Sequence, residues 1–223
     1  KQVHISEPMQ IHNNFLSEDK FKSLVASSQK NISKLVTIQE GCDKFCKFCV
    51  VPYTRGCDFS RSVEEIYAEV SNLVKNGARE VTLLGQNVSS YKSEVLDKKE
   101  KKKVSLGILC QILSKISKLQ RIRYLTSHPI DIDEFLIEAH KYNKKLMPFL
   151  HLPIQSGSDK ILKSMNRNHT RKFYLDLISK IKLKVKNIAF SSDFIVGYPG
   201  ETDQDFQDTL DVIEKVKFAS SYS

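Results

Sequence analysis

Strand-like and helix-like segments alternate along this chain, and that order limits the possible folds more than any other feature. Short apolar stretches predict strands at residues 35–39, 80–84, 121–126, 149–154 and 188–196. Helices are predicted at residues 63–76, 106–116, 131–142, 158–165, 170–182 and 202–217, and a sixth strand begins near residue 218. Strands that alternate with helices form parallel sheets, because each helix returns the chain to the end where the last strand began.

Two α/β architectures contain such a sheet, an open (β/α) barrel and a doubly wound sheet. No glycine-rich pattern typical of dinucleotide-binding folds follows the first predicted strand. The alternation alone does not separate the two architectures, so both stay open at this point. With 223 residues the chain is long enough for one large domain of either kind.

Capping residues indicate where several helices begin. Ser62 and Glu65 form an S-x-x-E capping box, in which a side-chain oxygen accepts from a free amide of the first turn. Asp131 is predicted to cap the helix at 131–142, and Thr202 the helix at 202–217. The lysine-rich residues 92–103 are predicted to form a solvated insertion loop, with an RNA contact as the alternative interpretation.

Three cysteines, Cys42, Cys46 and Cys49, fall within eight residues in the pattern C-x-x-x-C-x-x-C. Thiolates are soft ligands that suit zinc or iron–sulfur clusters. A structural zinc site needs four ligands, whereas three cysteines on a 4Fe–4S cluster leave one iron open to an outside ligand. The count of three favours the cluster over zinc with a distant fourth ligand, or over unconnected thiols. Cys57 is a poor fourth ligand because a turn is predicted at residues 52–56.

Loops rich in small polar residues follow each predicted strand. The cysteine pattern follows the first strand, and residues 85–87, 127–129, 155–157 and 197–200 follow the next four. One such loop is ordinary, since Gly, Ser, Asn and Pro are common in turns. Five at matching ends of successive parallel strands predict a rim around one active-site mouth.

Longer strings carry a resemblance to a known family. The cysteine loop reads GCDKFCKFCVVPYTRG at residues 41–56, followed by LLGQNVSSY (83–91), TSHP (126–129), HLPIQSGS (151–158) and DFIVGYPGET (193–202). These strings resemble the radical S-adenosylmethionine (SAM) methylthiotransferases, and among them the tRNA-modifying MiaB type. The resemblance implies a partial (β/α)6 barrel of the TIM-like kind. It further implies that Cys42, Cys46 and Cys49 hold a 4Fe–4S cluster whose open iron binds SAM.

Several polar residues at the rim become candidate SAM contacts under this resemblance. Gln86 and Asn87 would bond the methionine end or the ribose. Ser127 and Gln155 would reach the ribose and the carboxylate. Phe48 would pack beside the adenine, with an ordinary core aromatic as the alternative.

Charged and titratable residues complete the predicted site. Arg167 would pair with the SAM carboxylate, with a surface arginine as the alternative. Asp193 would bond near the adenine or orient Arg167. His128 and His151 are either proton shuttles or structural histidines. The glycines at 197 and 200 would permit a tight turn near the adenine.

The reaction implied is methylthiolation of carbon 2 of N6-dimethylallyladenosine beside the tRNA anticodon, through a 5′-deoxyadenosyl radical. The alternatives are threonylcarbamoyladenosine in tRNA, a ribosomal protein, or a non-catalytic zinc-stabilised RNA-binding module. The expected partners are the tRNA anticodon stem-loop and an electron donor such as flavodoxin or ferredoxin. A net charge of +9 would steer RNA, with Arg55, Arg61 and the lysine loop as candidate phosphate contacts.

The domain organisation expected from the resemblance has two parts. Residues 1–33 would be a linker from an N-terminal domain that carries a second, sulfur-donating cluster. Residues 34–223 would be the radical SAM domain, with an RNA-binding domain following it. Five cysteines, three of them in one loop, argue against a disulfide framework and for a reducing cytosol, and no apolar run approaches the ~20 residues of a membrane span. The resemblance implies a cytoplasmic enzyme, which is expected to be a monomer.

Overall fold

The computed structural model describes residues 31–97 and 100–223. Most of the predicted linker at 1–33 lies outside the described residues. The strands are β1 (Ser33–Thr37), β2 (Gln39–Glu40), β3 (Phe59–Ser60), β4 (Glu80–Leu84), β5 (Lys92–Asp97), β6 (Glu100–Ser105), β7 (Arg121–Tyr124), β8 (Phe149–His151), β9 (Ala189–Asp193) and β10 (Ser220–Tyr222). The helices are α1 (Val51–Arg55), α2 (Val63–Lys75), α3 (Leu106–Ser114), α4 (Glu134–Tyr142), α5 (Asp159–Ser164), α6 (Arg171–Lys184) and α7 (Asp203–Val216).

Six parallel strands lie side by side in chain order. β4 pairs with β1 and β7, and β9 pairs with β8 and β10, all in parallel. The two groups meet where Ile122 of β7 donates its amide to Lys145 at 2.7 Å and accepts one from Met147 at 3.0 Å, just before β8. A doubly wound sheet reverses its strand order at a switch point. The unbroken order here is that of a partial (β/α)6 barrel, which confirms the predicted fold.

The core lies between the sheet and its helices. Alternate strand residues, such as Val36, Val81 and Ile122, are fully buried. They join one apolar cluster with helix residues that include Ile66 of α2 and Leu109 of α3. Burying such side chains contributes about 1.5–3 kcal/mol each. None of the described helices combines the length and apolar character needed to cross a membrane.

Two segments predicted to be irregular are regular in the structure. The predicted loop at residues 92–103 lies in the antiparallel hairpin β5–β6, whose register pairs Lys92 with Ser105 and Asp97 with Glu100. Val104 is buried in the core, so the hairpin is anchored despite its charged sequence. The turn predicted at 52–56 is mostly the short helix α1, with Pro52 in its first turn, where a missing amide costs nothing.

The helix caps agree with prediction at two sites and differ at a third. Ser62 accepts from the amide of Glu65 at 3.3 Å, and Thr202 forms a full capping box with Asp205. The cap of α4 is Asp133, which accepts from the amide of Leu136 at 2.7 Å. The predicted cap, Asp131, is therefore wrong, and its carboxylate is used in the site described next.

Candidate functional site

A cavity of about 180 Å³ opens at the carboxyl ends of the parallel strands. All ten residues predicted as cluster ligands or SAM contacts line it. Nine of them come from loops after β2, β4, β7 and β8 and from the end of β9, and Arg167 comes from the segment between α5 and α6. Its walls are formed by Cys42, Lys44, Cys46, Phe48, Cys49, Gln86, Asn87, Thr126, Ser127, His128, His151, Pro153, Gln155, Arg167 and Asp193. Each predicted rim loop except residues 197–200 therefore contributes at least one residue to the cavity wall.

The cysteine loop, residues 41–50, is clamped at its base. β2 pairs with β3 across it, and the amide of Cys42 donates to the carbonyl of Gly56 at 3.2 Å. Gly41 has φ +80°, and a Cβ there would lie 2.0 Å from the carbonyl oxygen of Cys57. Only glycine fits this close approach, so the turn that starts the loop depends on it.

The three thiols of the loop face the same cavity. Cys46 is buried, while Cys42 and Cys49 are half-buried. Burial raises the pKa of the Cys42 thiol, and the neighbouring thiols of Cys46 and Cys49 raise it further, against a hydrogen bond from the backbone of Lys44 that lowers it. Because a like charge affects the pKa of a thiol only at short range, the thiols of Cys46 and Cys49 lie near that of Cys42.

The chemistry of the donor set bears on which metal it suits. Three soft thiols face one cavity, whereas a structural zinc site needs four ligands. Iron–sulfur clusters are held by cysteine thiolates, and three of them leave one iron of a 4Fe–4S cluster open to another ligand. The three thiols therefore fit a cluster with an open iron.

The two remaining cysteines lie away from the cavity walls. Cys57 is exposed, and Cys110 is fully buried in α3. Burial raises the pKa of Cys110 to about 12. This confirms the predicted burial of Cys110 and marks it as an inert core thiol.

Gln86 and Asn87 are held within the protein. The side-chain oxygen of Gln86 accepts from the amide of Gly41 at 2.7 Å. The side chain of Asn87 donates to Asp131 at 2.7 Å and accepts from the hydroxyl of Ser89 at 2.8 Å. The sequence predicts that both residues contact a ligand. In the structure, the side-chain oxygens of Gln86 and Asn87 bond to the protein and position the loops around the cavity.

Three residues of this network are missing from the predicted site. Asp131 also accepts from the ammonium of Lys44 at 2.8 Å, so a turn after β7 is tied to the cysteine loop. Gln39 donates to the carbonyl of Gly41 at 2.6 Å and to Asp58 at 2.9 Å. Burial raises the pKa of Asp58, against lowering hydrogen bonds from Ser90 and Gln39. No spacing signal links Gln39 to Asp58 or Lys44 to Asp131, because these pairs are 19 and 87 positions apart.

Two strand-end residues have unusual backbone angles. Thr126 has φ 64° and Gln155 has φ 77°, a region that side chains other than glycine rarely adopt. Both line the cavity, where such strain is often found. Ser127 follows Thr126 in the chain, and its hydroxyl is buried without a hydrogen-bond partner among the described residues. An unpaired buried hydroxyl beside a cavity is suited to a bound ligand.

The two predicted histidines differ in character. His128 accepts at Nδ1 from the amide of Ile130 at 3.3 Å. Burial, and then the charges of Arg167 and Lys44, lowers the pKa of His128 to about 2. So low a pKa favours a neutral imidazole at ordinary pH, and with it the structural alternative for His128.

His151 faces two polar groups at the end of β8. Its Nδ1 lies 2.8 Å from the hydroxyl of Ser191, and its Nε2 lies 3.3 Å from the carboxylate of Asp193. Asp193 is predicted to orient Arg167, but the carboxylate pairs with His151 instead. A histidine placed between a hydroxyl and a carboxylate can transfer a proton, so the shuttle prediction for His151 stays a prediction.

The three arginines among the predicted contacts differ in burial and in their partners. Arg167 is 8 % exposed and donates from Nη2 to the carbonyl of Pro153 at 2.6 Å, so it is not a surface residue. Arg61 is also buried, with Nη1 donating to Glu69 at 2.7 Å, and its predicted phosphate contact is wrong. Arg55 is exposed and lies 3.3 Å from Glu40.

The remaining predictions concern the turn after β9 and the ring of Phe48. Gly197 and Gly200 have φ 72° and 86°, which confirms the turn predicted after β9. The ring of Phe48 lines the cavity and is 38 % exposed, so it is not an ordinary core aromatic. An exposed ring face at the cavity wall is suited to stacking on a flat ligand.

Comparison with known proteins shows that the region that forms the cavity matches a known family. A profile of the radical SAM superfamily matches residues 36–213. The tRNA-2-methylthio-N(6)-dimethylallyladenosine synthase of Rickettsia canadensis (strain McKiel) is 52% identical over 94% of this chain and 46% of its own length. The synthase of the same name from Bartonella tribocorum (strain CIP 105476 / IBS 506) is 51% identical over 96% of this chain and 47% of its own length. The chain thus spans about half the length of the curated relatives it matches.

Solved structures share the architecture at low sequence identity. The radical SAM methyltransferase TsrM from Kitasatospora setae superposes with a TM-score of 0.66 at 13% identity, covering 87% of this chain and 36% of that one. Coproporphyrinogen III oxidase (HemN) from Escherichia coli gives 0.57 at 15% identity, covering 87% of this chain and 44% of that one. At such identities the likeness concerns the fold.

Proposed function

The chain belongs to the radical SAM superfamily, and from that premise we propose that it is the SAM-cleaving domain of a tRNA methylthiotransferase. The proposed reaction places a methylthio group on carbon 2 of N6-dimethylallyladenosine beside the anticodon. The observation that carries the proposal is the cavity that gathers three thiols with polar groups from successive strand ends. The names of the relatives support this substrate over threonylcarbamoyladenosine or a ribosomal protein.

Cys42, Cys46 and Cys49 are the residues that would hold the 4Fe–4S cluster. When bound, the cluster supplies the electron for reductive cleavage of SAM and an open iron for its methionine end. The protein contributes the placement of the three thiols, which Gly41, Gln86 and the β2–β3 pair impose on the loop. Fixing the reacting groups in one geometry before reaction is a large part of such catalysis.

SAM would bind against the groups of the cavity that have no full set of protein partners among the described residues. Ser127 offers an unpaired hydroxyl, and Phe48 offers an exposed ring for the adenine. Gln155 is held at the rim by its strained backbone, and Asp193 completes the wall beside His151. These residues orient SAM and exclude water, so that a reactive fragment meets its target and not solvent.

The tRNA base would enter from the open side of the cavity. A base that reacts inside a protein pocket must leave its stack. The net charge of +9 favours association with the phosphate backbone. Arg55 and the lysines of the β5–β6 hairpin are the proposed phosphate contacts, since Arg61 is committed to Glu69.

Sulfur insertion would need a donor that this chain's cysteines do not supply. Apart from the three loop thiols, the sequence has only Cys57 and Cys110. We place the radical domain at residues 34–223, with residues 1–33 as a linker from a domain that carries a second cluster. The proposed setting is the cytoplasm, with a monomeric enzyme reduced by a flavodoxin or ferredoxin.

Anaerobic reconstitution of the chain with iron and sulfide tests the proposal. We expect a brown protein that absorbs near ~400 nm and that forms 5′-deoxyadenosine from SAM under reducing conditions, without methylthiolating tRNA. The C42A, C46A and C49A variants should lose this activity. A colourless chain that binds stoichiometric zinc would overturn the proposal in favour of the zinc-stabilised module.

The substrate is tested separately. Transfer RNA from a strain that lacks the gene should lose 2-methylthio-N6-dimethylallyladenosine, as measured by mass spectrometry. Loss of the methylthio form of threonylcarbamoyladenosine, or of a ribosomal protein modification, would identify one of the alternative substrates instead.

A further inference from the structure

Arg167 carries a buried positive charge that no carboxylate of the described residues contacts. It is 8 % exposed, and none of the ion pairs found in residues 31–97 and 100–223 includes it. Its Nη2 donates to the carbonyl of Pro153 at 2.6 Å, and its Nη1 lies 3.6 Å from the Sγ of Cys46. Its Nε is buried without a hydrogen-bond partner in the described part of the chain.

Such an arrangement is costly unless an anion lies nearby. The guanidinium group stays protonated in proteins, and a buried charge needs a partner of opposite sign. The neighbouring His128 and His169 provide none, because an imidazole is neutral or positively charged and not an anion at ordinary pH. The group in contact with Arg167 that can become an anion is the thiol of Cys46.

We propose that the guanidinium of Arg167 is the counter-ion of Cys46 in the cluster-bound protein, and donates a charge-assisted N–H···S hydrogen bond to that sulfur. Arg167 is thus a positioning residue that acts through a cluster ligand. The bond orients Cys46, and the positive charge stabilises the more negative, reduced form of the cluster. This inference rests on the proposed function, since it requires a cluster at the three thiols.

The chain around Arg167 is built to hold this position. Asn166 donates its side-chain amide to the carbonyl of Phe45 at 2.9 Å. The amide of Lys47 donates to the carbonyl of Met165 at 3.0 Å. The segment before α6 is therefore bonded to the cysteine loop on both sides of Cys46, which fixes the guanidinium beside the sulfur without help from a ligand.

The competing role is the one expected from the resemblance, a clamp on the SAM carboxylate. A bidentate clamp needs two free N–H groups that point in the same direction. Here one N–H of Nη1 faces sulfur, one N–H of Nη2 is bonded to Pro153, and Nε is covered by protein, which leaves one further N–H on each terminal nitrogen. The partner that the structure places beside Arg167 is the thiol, and the SAM carboxylate is the alternative that the experiment tests.

The test compares R167Q, which removes the charge, with R167K, which keeps it but loses the planar fork. R171Q is the matched control, since Arg171 is an arginine four positions later whose partners are Asp208 and Asp211. Each chain is reconstituted anaerobically, and its iron content, cluster midpoint potential and SAM dissociation constant are measured. Circular dichroism confirms folding.

We expect the midpoint potential of R167Q to be more negative than that of the unchanged chain, with R167K between the two and R171Q unchanged. R171Q should bind SAM with the affinity of the unchanged chain. Loss of iron from folded R167Q with recovery in R167K would support the same conclusion, since the retained charge would then restore the cluster.

Two results would overturn the inference alone. One is an unchanged potential in R167Q together with weakened SAM binding, which would identify the carboxylate clamp. The other is loss of iron from both folded Arg167 variants while R171Q keeps it, because a retained charge would then have no effect. Absence of any cluster from the unchanged chain would instead overturn the proposed function, and this inference with it.

Discussion

Lys44 and Asp131 form an ion pair of 2.8 Å that ties the cysteine loop to the turn after β7. Both side chains are largely buried, and Asn87 donates to the second oxygen of the same carboxylate at 2.7 Å. One aspartate thus joins three segments that are distant in sequence. This carboxylate aligns the cysteine loop with the strand ends on the opposite side of the cavity.

The D131N variant should loosen this alignment. It keeps the side-chain shape but leaves the ammonium of Lys44 without its charged partner, so we expect the free energy of unfolding to fall by about 1.5–3 kcal/mol. Iron content after reconstitution should fall as well. Urea unfolding and iron analysis check the two effects.

A surface ion pair provides the control for D131N. Lys172 and Asp176 lie four residues apart on α6 and are both exposed. D176N removes the same charge and should cost about 0.3–0.5 kcal/mol with normal iron content. Equal effects of the two substitutions would show that the Lys44–Asp131 pair does not hold the loop.

G41A should prevent the cysteine loop from forming correctly. A methyl group at Gly41 would lie 2.0 Å from the carbonyl oxygen of Cys57, and the φ of +80° is unfavourable for alanine. Gly77 also has a positive φ, of +106°, but its added Cβ would meet nothing within 4 Å. G77A therefore measures the backbone strain alone, about 1–2 kcal/mol. We expect G41A to lose more unfolding free energy than G77A and to lose iron as well. Similar losses of unfolding free energy in the two variants would contradict the steric argument.

Q155G should separate stability from ligand binding. Gln155 has φ 77°, which glycine adopts without strain. The gain is partly offset by glycine's greater freedom in the unfolded chain, so we expect a rise in unfolding free energy of less than about 1 kcal/mol. SAM binding, measured by calorimetry, should weaken because the side chain is lost from the cavity wall. Unchanged SAM affinity would remove Gln155 from the proposed contacts.

His140 should make stability depend on pH. Burial lowers its pKa to about 4 in the folded chain, against about 6.5 when unfolded. Between these values the unfolded chain binds more protons, so stability is greatest above pH 6.5 and falls as the pH decreases toward 4.

The H140Q variant removes this titration. From pH 7.5 to pH 5, the stability advantage of the unchanged chain over H140Q should shrink by about 2 kcal/mol. Denaturant unfolding at both pH values measures this change in stability. At pH 7.5 the difference in unfolding free energy between the two chains reports the change in packing beside Tyr124. The hydroxyl of Tyr124 lies 2.7 Å from Nε2 of His140. Parallel pH profiles of the two chains would show that His140 does not contribute.

Features set by short stretches of chain could be predicted from the sequence. The C-x-x-x-C-x-x-C spacing, the alternation of strands and helices, and the caps at Ser62 and Thr202 each depend on residues a few positions apart. The strand-end rule then places nine of the ten candidate residues around one mouth, because parallel strands direct their carboxyl ends to the same edge; Arg167, between α5 and α6, is the exception.

Partnerships between distant residues required the tertiary structure. The sequence predicts a surface cation at Arg61, which is buried against Glu69. It also predicts a loop at residues 92–103, of which residues 92–97 and 100–103 belong to an antiparallel hairpin. Neither burial nor pairing is encoded in the local pattern of charged residues.

By itself, then, the sequence determined the alternation of strands and helices, the family resemblance that implies a barrel, and the three thiols, since each depends on residues close together in the chain. Only the tertiary structure decided that Asp131 binds Lys44 and that Arg167 lies beside Cys46. The physical reason is that a charged side chain takes whichever partner folding brings within hydrogen-bond distance, and these pairs are separated by 87 and 121 positions.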